Sequence, residues 1–165
     1  MQVQEIVKQL ELLPHPEGGY YKETYRSDGQ IDQGSLDEQF SGKRSYSTGI
    51  YFLLTKNNFS AFHKIKQDEM WHFYKGDPLA VHMIDEQGNY SKQLIGGNLS
   101  KDELPQFVVP KGCWFASSVE HHGEYSLVGC TVSPGFDFDD FELADRNSFI
   151  EQYPIHQEII TQLTR

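Results

Sequence analysis

Apolar residues near the start of the chain fall at Val3, Ile6, Val7, Leu10 and Leu13, which line one face of a helix that Pro14 ends. The run Pro14-His-Pro-Glu-Gly-Gly19 is rigid turn chemistry, and the Tyr- and Thr-rich segment Tyr20 to Arg26 reads as a strand. Residues 27–43 carry glycine breakers and little apolar content, predicting an exposed, mobile loop. From there to Val132 the pattern changes to short β-prone runs, near 46–55, 59–65, 69–75, 79–85, 90–95, 106–110, 113–117 and 125–133. Turn residues such as Lys56-Asn-Asn58, Glu86-Gln-Gly-Asn89 and Lys111-Gly112 separate them. Many strands at this spacing with no helical period between them predict an all-β sandwich or double-sheet barrel. Phe136 to Glu142 alternates aromatic and acidic residues, the pattern of a strand with one buried and one solvated face. The end returns to helix, over 143–152 and then from Pro154, with Ile155, Ile159 and Leu163 on one face.

Composition narrows the classes. Among 165 residues, 11 Phe, 9 Tyr and 2 Trp supply bulk for a core, which excludes global disorder. A formal charge of −10 repels phosphate backbones and anionic lipid, so neither nucleic acid nor membrane is an expected partner. The first residues are too polar for a signal peptide, and Ile50 to Leu54 is far short of a bilayer span. Cys113 and Cys130 sit in no metal or redox spacing and read as small hydrophobes in a reducing compartment, so a cytoplasmic protein is expected.

The stretch Phe59 to Gly76 is the richest in chemistry. Alternation puts His63 and Ile65 on one strand face, and Glu69, Trp71 and Phe73 on one face of the next. An imidazole and a carboxyl beside aromatic rings at a barrel mouth suit a ligand pocket. His72, three residues after Glu69, points the other way. His121-His122-Gly123 reads as a turn tip, and His82 and His156 as surface residues.

These residues resemble the cupin superfamily. Its first motif is Gly, five residues, His-x-His, three or four residues, Glu, six residues, Gly. Here His63, Glu69 and Gly76 match, with Ile65 for the second His and Asn57 for the first Gly. In the second motif Pro110 and Gly112 match, while Leu104, Phe115 and Val119 replace its flanking Gly, its His and its Asn. Longer strings are similar to the cupin-5 family, a domain of unknown function with the RmlC-like jelly roll. They are His15 to Tyr21, Phe59 to Gly76, Val109 to Ala116 and Leu127 to Phe138. The resemblance implies a single domain over 1–165: a helical arm at 1–14, a double-stranded β-helix barrel at 15–142 and helices at 143–165. It also implies a homodimer, since barrel edges need covering.

The resemblance implies a site as well. Metal-binding cupins use three His and one carboxylate, but Ile65 and Phe115 offer no lone pair, so no metal or other cofactor is expected. The sugar-nucleotide epimerase branch of the fold works without metal, with a His base and a Tyr acid that follows a Cys-Thr step. Here Cys130-Thr-Val-Ser133 lacks that Tyr, leaving Tyr46, Tyr51 or Tyr125 to reach the pocket. The resulting expectation is a barrel that binds a small polar metabolite of sugar or nucleotide-sugar type. His63 would be its general base, Glu69 the orienter of that ring, and Trp71, Phe73 and Phe115 further ligand contacts. A non-catalytic metabolite sensor and a metal-dependent oxygenase or isomerase are the alternatives.

Overall fold

The computed structural model describes residues 2–165. Among the described residues fourteen strands follow one another: β1 (Leu13–Pro14), β2 (Tyr20–Arg26), β3 (Gln30–Ile31), β4 (Arg44–Ser45), β5 (Thr48–Thr55), β6 (Phe59–Lys64) and β7 (Asp68–Gly76). After them come β8 (Leu79–Ile84), β9 (Tyr90–Ile95), β10 (Glu103–Leu104), β11 (Gln106–Val109), β12 (Trp114–Val119), β13 (Tyr125–Ser133) and β14 (Glu142–Leu143). Two six-stranded sheets, ordered β1-β2-β5-β13-β7-β11 and β10-β9-β8-β12-β6-β14, face each other as a jelly roll, and β3 pairs with β4 beside them. The short helices are α1 (Val3–Leu10), α2 (Arg146–Gln152) and α3 (Gln157–Gln162).

Alternation within the strands fills the space between the sheets. Phe52 and Leu54 of β5, Trp71 of β7, Val81 of β8, Phe115 of β12 and Val128 of β13 all turn inward into one cluster. The Trp71 ring meets Phe52 and Phe115 edge-on, at centroid separations of 6.0 and 6.3 Å. Rings of this size each contribute roughly 1.5–3 kcal/mol on burial, enough to fix which face of β7 points inward. On the outer faces, α1 and the turn after it cover Leu53 with Ile6 and Leu12, while α2, α3 and the residue that ends α3 lay Phe149, Ile160 and Leu163 over Phe62 and Ala116.

Several elements differ from the sequence reading. α1 stops at Leu10 because Glu11 turns left-handed, with φ at 54°, and Leu13–Pro14 pairs with β2. The 27–43 segment is anchored: β3 pairs with β4, and Phe40 is buried beneath the Arg44 guanidinium. Residues 136–142 form no two-faced strand; Phe138–Asp140 is a 3-10 turn whose Asp137 side chain accepts from the Asp139 N–H. The final helical region starts at Arg146, because Glu142–Leu143 pairs with Lys64 and His63. His82 is buried against the Tyr90 hydroxyl, its Nδ1 2.7 Å away, and His156 reaches the Gly88 carbonyl at 2.7 Å; neither is a free surface residue. Both cysteines are free thiols. Among the described residues, no helix is long and apolar enough to cross a membrane.

Candidate functional site

A cavity of about 650 Å³ opens at one end of the barrel. β6 contributes His63 to it, β7 Glu69, β13 Cys130 and Val132, β5 Thr48 and Ile50, and β2 Tyr21. Two irregular segments complete the wall. The turn between β1 and β2 brings His15 and Glu17, and the strap after β13 brings Phe136, Phe138 and Phe141. That volume suits a metabolite-sized ligand, with apolar walls and a few converging polar groups.

Hydrogen bonding assigns the polar floor. His63 Nδ1 donates to the Ala61 carbonyl at 2.7 Å, so the neutral ring presents a lone pair at Nε2. Nε2 lies 3.0 Å from Glu17 Oε2. The Glu17 backbone N–H donates to His15 Nδ1 at 3.2 Å, tying the turn to itself, and Glu17 Oε1 lies 3.7 Å from the same nitrogen. The rings of Phe115 and Phe141 hold the His63 imidazole at centroid distances of 4.0 and 5.3 Å.

Burial sets the protonation of the floor. It holds His63 down at about 3 and His15 at about 4, so both imidazoles are neutral at pH 7. It pushes Glu69 up to about 7, against the hydrogen bond from the Cys130 thiol. Glu17 is raised well above the ordinary carboxylate range, by burial first and then by the Glu69 charge. Glu17 and His63 therefore share one proton across the 3.0 Å gap, held mainly on the carboxyl.

The structure brings His63 and Glu69 to this cavity with Ile65, but the carboxyl that meets the imidazole is Glu17, and Glu69 faces Cys130 instead. Trp71 lies in the core beyond Glu69 on β7, and Phe73 packs against that core. Phe115 stands behind the His63 ring, and none of these three lines the cavity. His72 lies on the outer side of its sheet, with Nε2 2.6 Å from the Thr131 hydroxyl. Tyr46 is largely exposed, and Tyr51 and Tyr125 pack in the cluster under α1. The tyrosine at the cavity is Tyr21, whose ring meets His15 edge-on. His15, Glu17 and Tyr21 belong to the string His15 to Tyr21, so the resemblance marked this segment even though local pattern reads it only as turn and strand.

A sequence model described as Cupin superfamily (DUF985) matches residues 4–144. The chain belongs to that family. An uncharacterized protein of Saccharomyces cerevisiae is 31% identical over 147 residues, covering 84% of this chain and 73% of its own length. An X-ray structure of a Shewanella oneidensis protein superposes with a TM-score of 0.88 at 42% identity, covering 100% of this chain and 99% of that one. A hypothetical protein from Leishmania major gives 0.91 at 39% identity, covering 99% of both. Oxalate decarboxylase from Bacillus subtilis shares the fold alone: its TM-score is 0.56 at 14% identity, over 91% of this chain and 36% of that one.

Donor chemistry in this cupin does not fit the metal that three His and a carboxylate hold in other members of the superfamily. Ile65 lines the cavity at one ligand position, and at another the Phe115 ring packs on His63. Among the described residues, no group of three or more His, Cys, Asp or Glu side chains is disposed to hold a metal ion.

Proposed function

We propose that this cupin binds a small polar metabolite of sugar type inside the barrel and moves a proton on it, as an isomerase or epimerase does. The 3.0 Å approach of His63 Nε2 to Glu17 Oε2 at the cavity floor, with Glu69 as a second buried carboxyl, carries this reading. Two acid–base groups held in different protonation states can divide the work. Glu69, poised near 7, takes the proton from a carbon next to a carbonyl. The electron pair moves into the carbonyl, whose oxygen draws the Glu17 carboxyl proton out of its bond to His63 Nε2, and the proton held on Glu69 then returns to carbon. His63 acts here through Glu17, as one end of a proton relay, rather than as a lone base.

Binding without turnover is the second reading. It is favoured by the imidazole itself, since a ring held at about 3 with Nε2 already met by a carboxyl is a fixed hydrogen-bonding element. Incubation in D2O with a panel of keto- and aldo-sugars, followed by proton NMR, separates the two. Proton transfer predicts deuterium at the carbon beside the carbonyl, lost in Glu69→Gln. Ligand-induced shifts with no exchange leave the sensor reading standing and remove the catalytic one.

A further inference from the structure

The wall chemistry of the cavity specifies the charge of its occupant. We propose that the ligand carries a cationic nitrogen, an ammonium or amidinium group, seated between Glu17 and Glu69 with its carbon frame against Phe136, Phe138 and Phe141. This rests on the metabolite-site reading in its binding form, in which Glu69 pairs with the ligand rather than taking a proton from it, and it names the ligand class.

Glu69 is the decisive side chain. It is only 9% exposed, it lines the cavity, and the one group that favours its charge is the thiol of Cys130, a weak donor. A carboxyl so deeply placed without a strong donor costs stability, and a charged N–H group delivered by a ligand would complete it. Glu17 faces the same space closely enough to feel the Glu69 charge. The three Phe rings of the strap offer faces and edges to the same volume, and aromatic faces attract cations.

Arg165 favours the Glu17 charge from behind, but its guanidinium is bound to the Glu17 and Phe59 carbonyls and to Asn58 and does not line the cavity; the groups that do line it argue in the same direction. His15 and His63 are neutral and supply no positive charge. At the rim, Lys22 is paired with Glu11. Arg26 is held by both oxygens of Glu23, at 2.8 and 2.9 Å, and by the Phe136 carbonyl. Asp137 adds a further acid to the wall. A phosphate or carboxylate entering here would meet Glu17, Glu69 and Asp137 with the rim cations already engaged. Among sugar-type ligands the site thus selects an amino sugar over a nucleotide sugar.

Matched probes test this by isothermal titration calorimetry on the full chain: glucosamine against glucose, and benzylamine against benzyl alcohol. The amines should bind at least about tenfold more tightly than their hydroxyl counterparts. Benzylamine, which stays protonated throughout, should bind more tightly as pH rises from about 6 to 8, with proton release at pH 7, because its ammonium favours ionised Glu69 and Glu17 while His15 and His63 stay neutral across that range. Glu69→Gln, close in shape to the protonated side chain, should erase the amine preference. Phe138→Leu, at a half-exposed position that does not carry the fold, should weaken the amines about threefold or more. Equal or tighter binding of the hydroxyl compounds overturns the cation but keeps a metabolite site. No binding of either pair up to about 10 mM also overturns it, and absence of any co-purifying small molecule by native mass spectrometry would then remove the metabolite reading too.

Discussion

Glu17 Oε2 and His63 Nε2 stand 3.0 Å apart at the end of a barrel, although one residue sits in an irregular turn and the other on β6 of the opposite sheet. Both are buried, and Glu17 Oε2 is the carboxyl oxygen that His63 Nε2 faces. Removing one partner leaves the other's polar atoms unsatisfied in a low-dielectric site, at a cost of roughly 1–3 kcal/mol. Glu17→Ala should therefore lower stability in urea by about that amount, and Glu17→Gln by clearly less, because an amide N–H can still donate to Nε2. Equal losses for the two variants would show that the pair contributes shape only.

Glu69 gives a pH signature with a definite sign. Its folded value, about 7, lies above the ordinary 4.5, so the folded state holds a proton that the unfolded state has released. Its favourable contribution is complete below about pH 4.5 and is lost as pH rises through about 7. The stability difference between wild type and Glu69→Gln should shift against the wild type across that window. A difference that stays flat in urea titrations from pH 5 to 8 would rule out the raised value. His15, His63 and His82 act oppositely: held low by burial, they add stability above about pH 6.5 that is lost as pH falls towards 4.

The aromatic strap owes its place to a buried ion pair. Arg44 donates to both oxygens of Asp140, at 2.8 and 2.7 Å, and Gln67 adds a bond to Asp140 Oδ2 at 2.7 Å. Breaking such a pair from one side costs about 3–5 kcal/mol, whereas replacing both partners by apolar residues costs far less. Asp140→Ala should accordingly destabilise the protein more than the double variant Arg44→Met/Asp140→Leu. Additive losses in a double-mutant cycle would contradict the coupling.

Gly18 positions Glu17. Its φ of 113° lies where side chains are strained, and an added methyl group would run into the Phe59 carbonyl. Gly18→Ala should cost about 1–3 kcal/mol by thermal denaturation and loosen the Glu17–His63 approach. Arg165 braces the same turn from outside, donating to the Glu17 carbonyl at 2.6 Å and the Phe59 carbonyl at 2.9 Å, so Arg165→Ala should weaken it in the same direction but less.

Much of this architecture was legible because alternation is local. The runs around β2, β5 to β9 and β13 are visible in the sequence to within a residue or two, and the cupin spacing of His63, Glu69 and Gly76 places the first two at the cavity. What escaped depends on contacts made far along the chain. Arg44 meets Asp140 96 positions away, so the loop reads as free and the strap as a strand. Glu17 reaches His63 because its carbonyl accepts from the Ala61 N–H of β6 at 2.9 Å, a contact that no period in the sequence expresses. Trp71 and Phe73 share Glu69's inward face, but the cavity ends before reaching them, and depth along a strand is invisible to a two-residue period.

The central claim is that the hollow floored by His63, Glu17 and Glu69 is a ligand site. Native mass spectrometry after exposure to a small-molecule cell extract tests it most directly, with wild type run beside Val132→Phe, whose larger side chain would fill the cavity. The account predicts a discrete small-molecule adduct on the wild type that Val132→Phe lacks while keeping its fold by circular dichroism. A wild type that emerges bare, or an adduct equally abundant on both proteins, would contradict it.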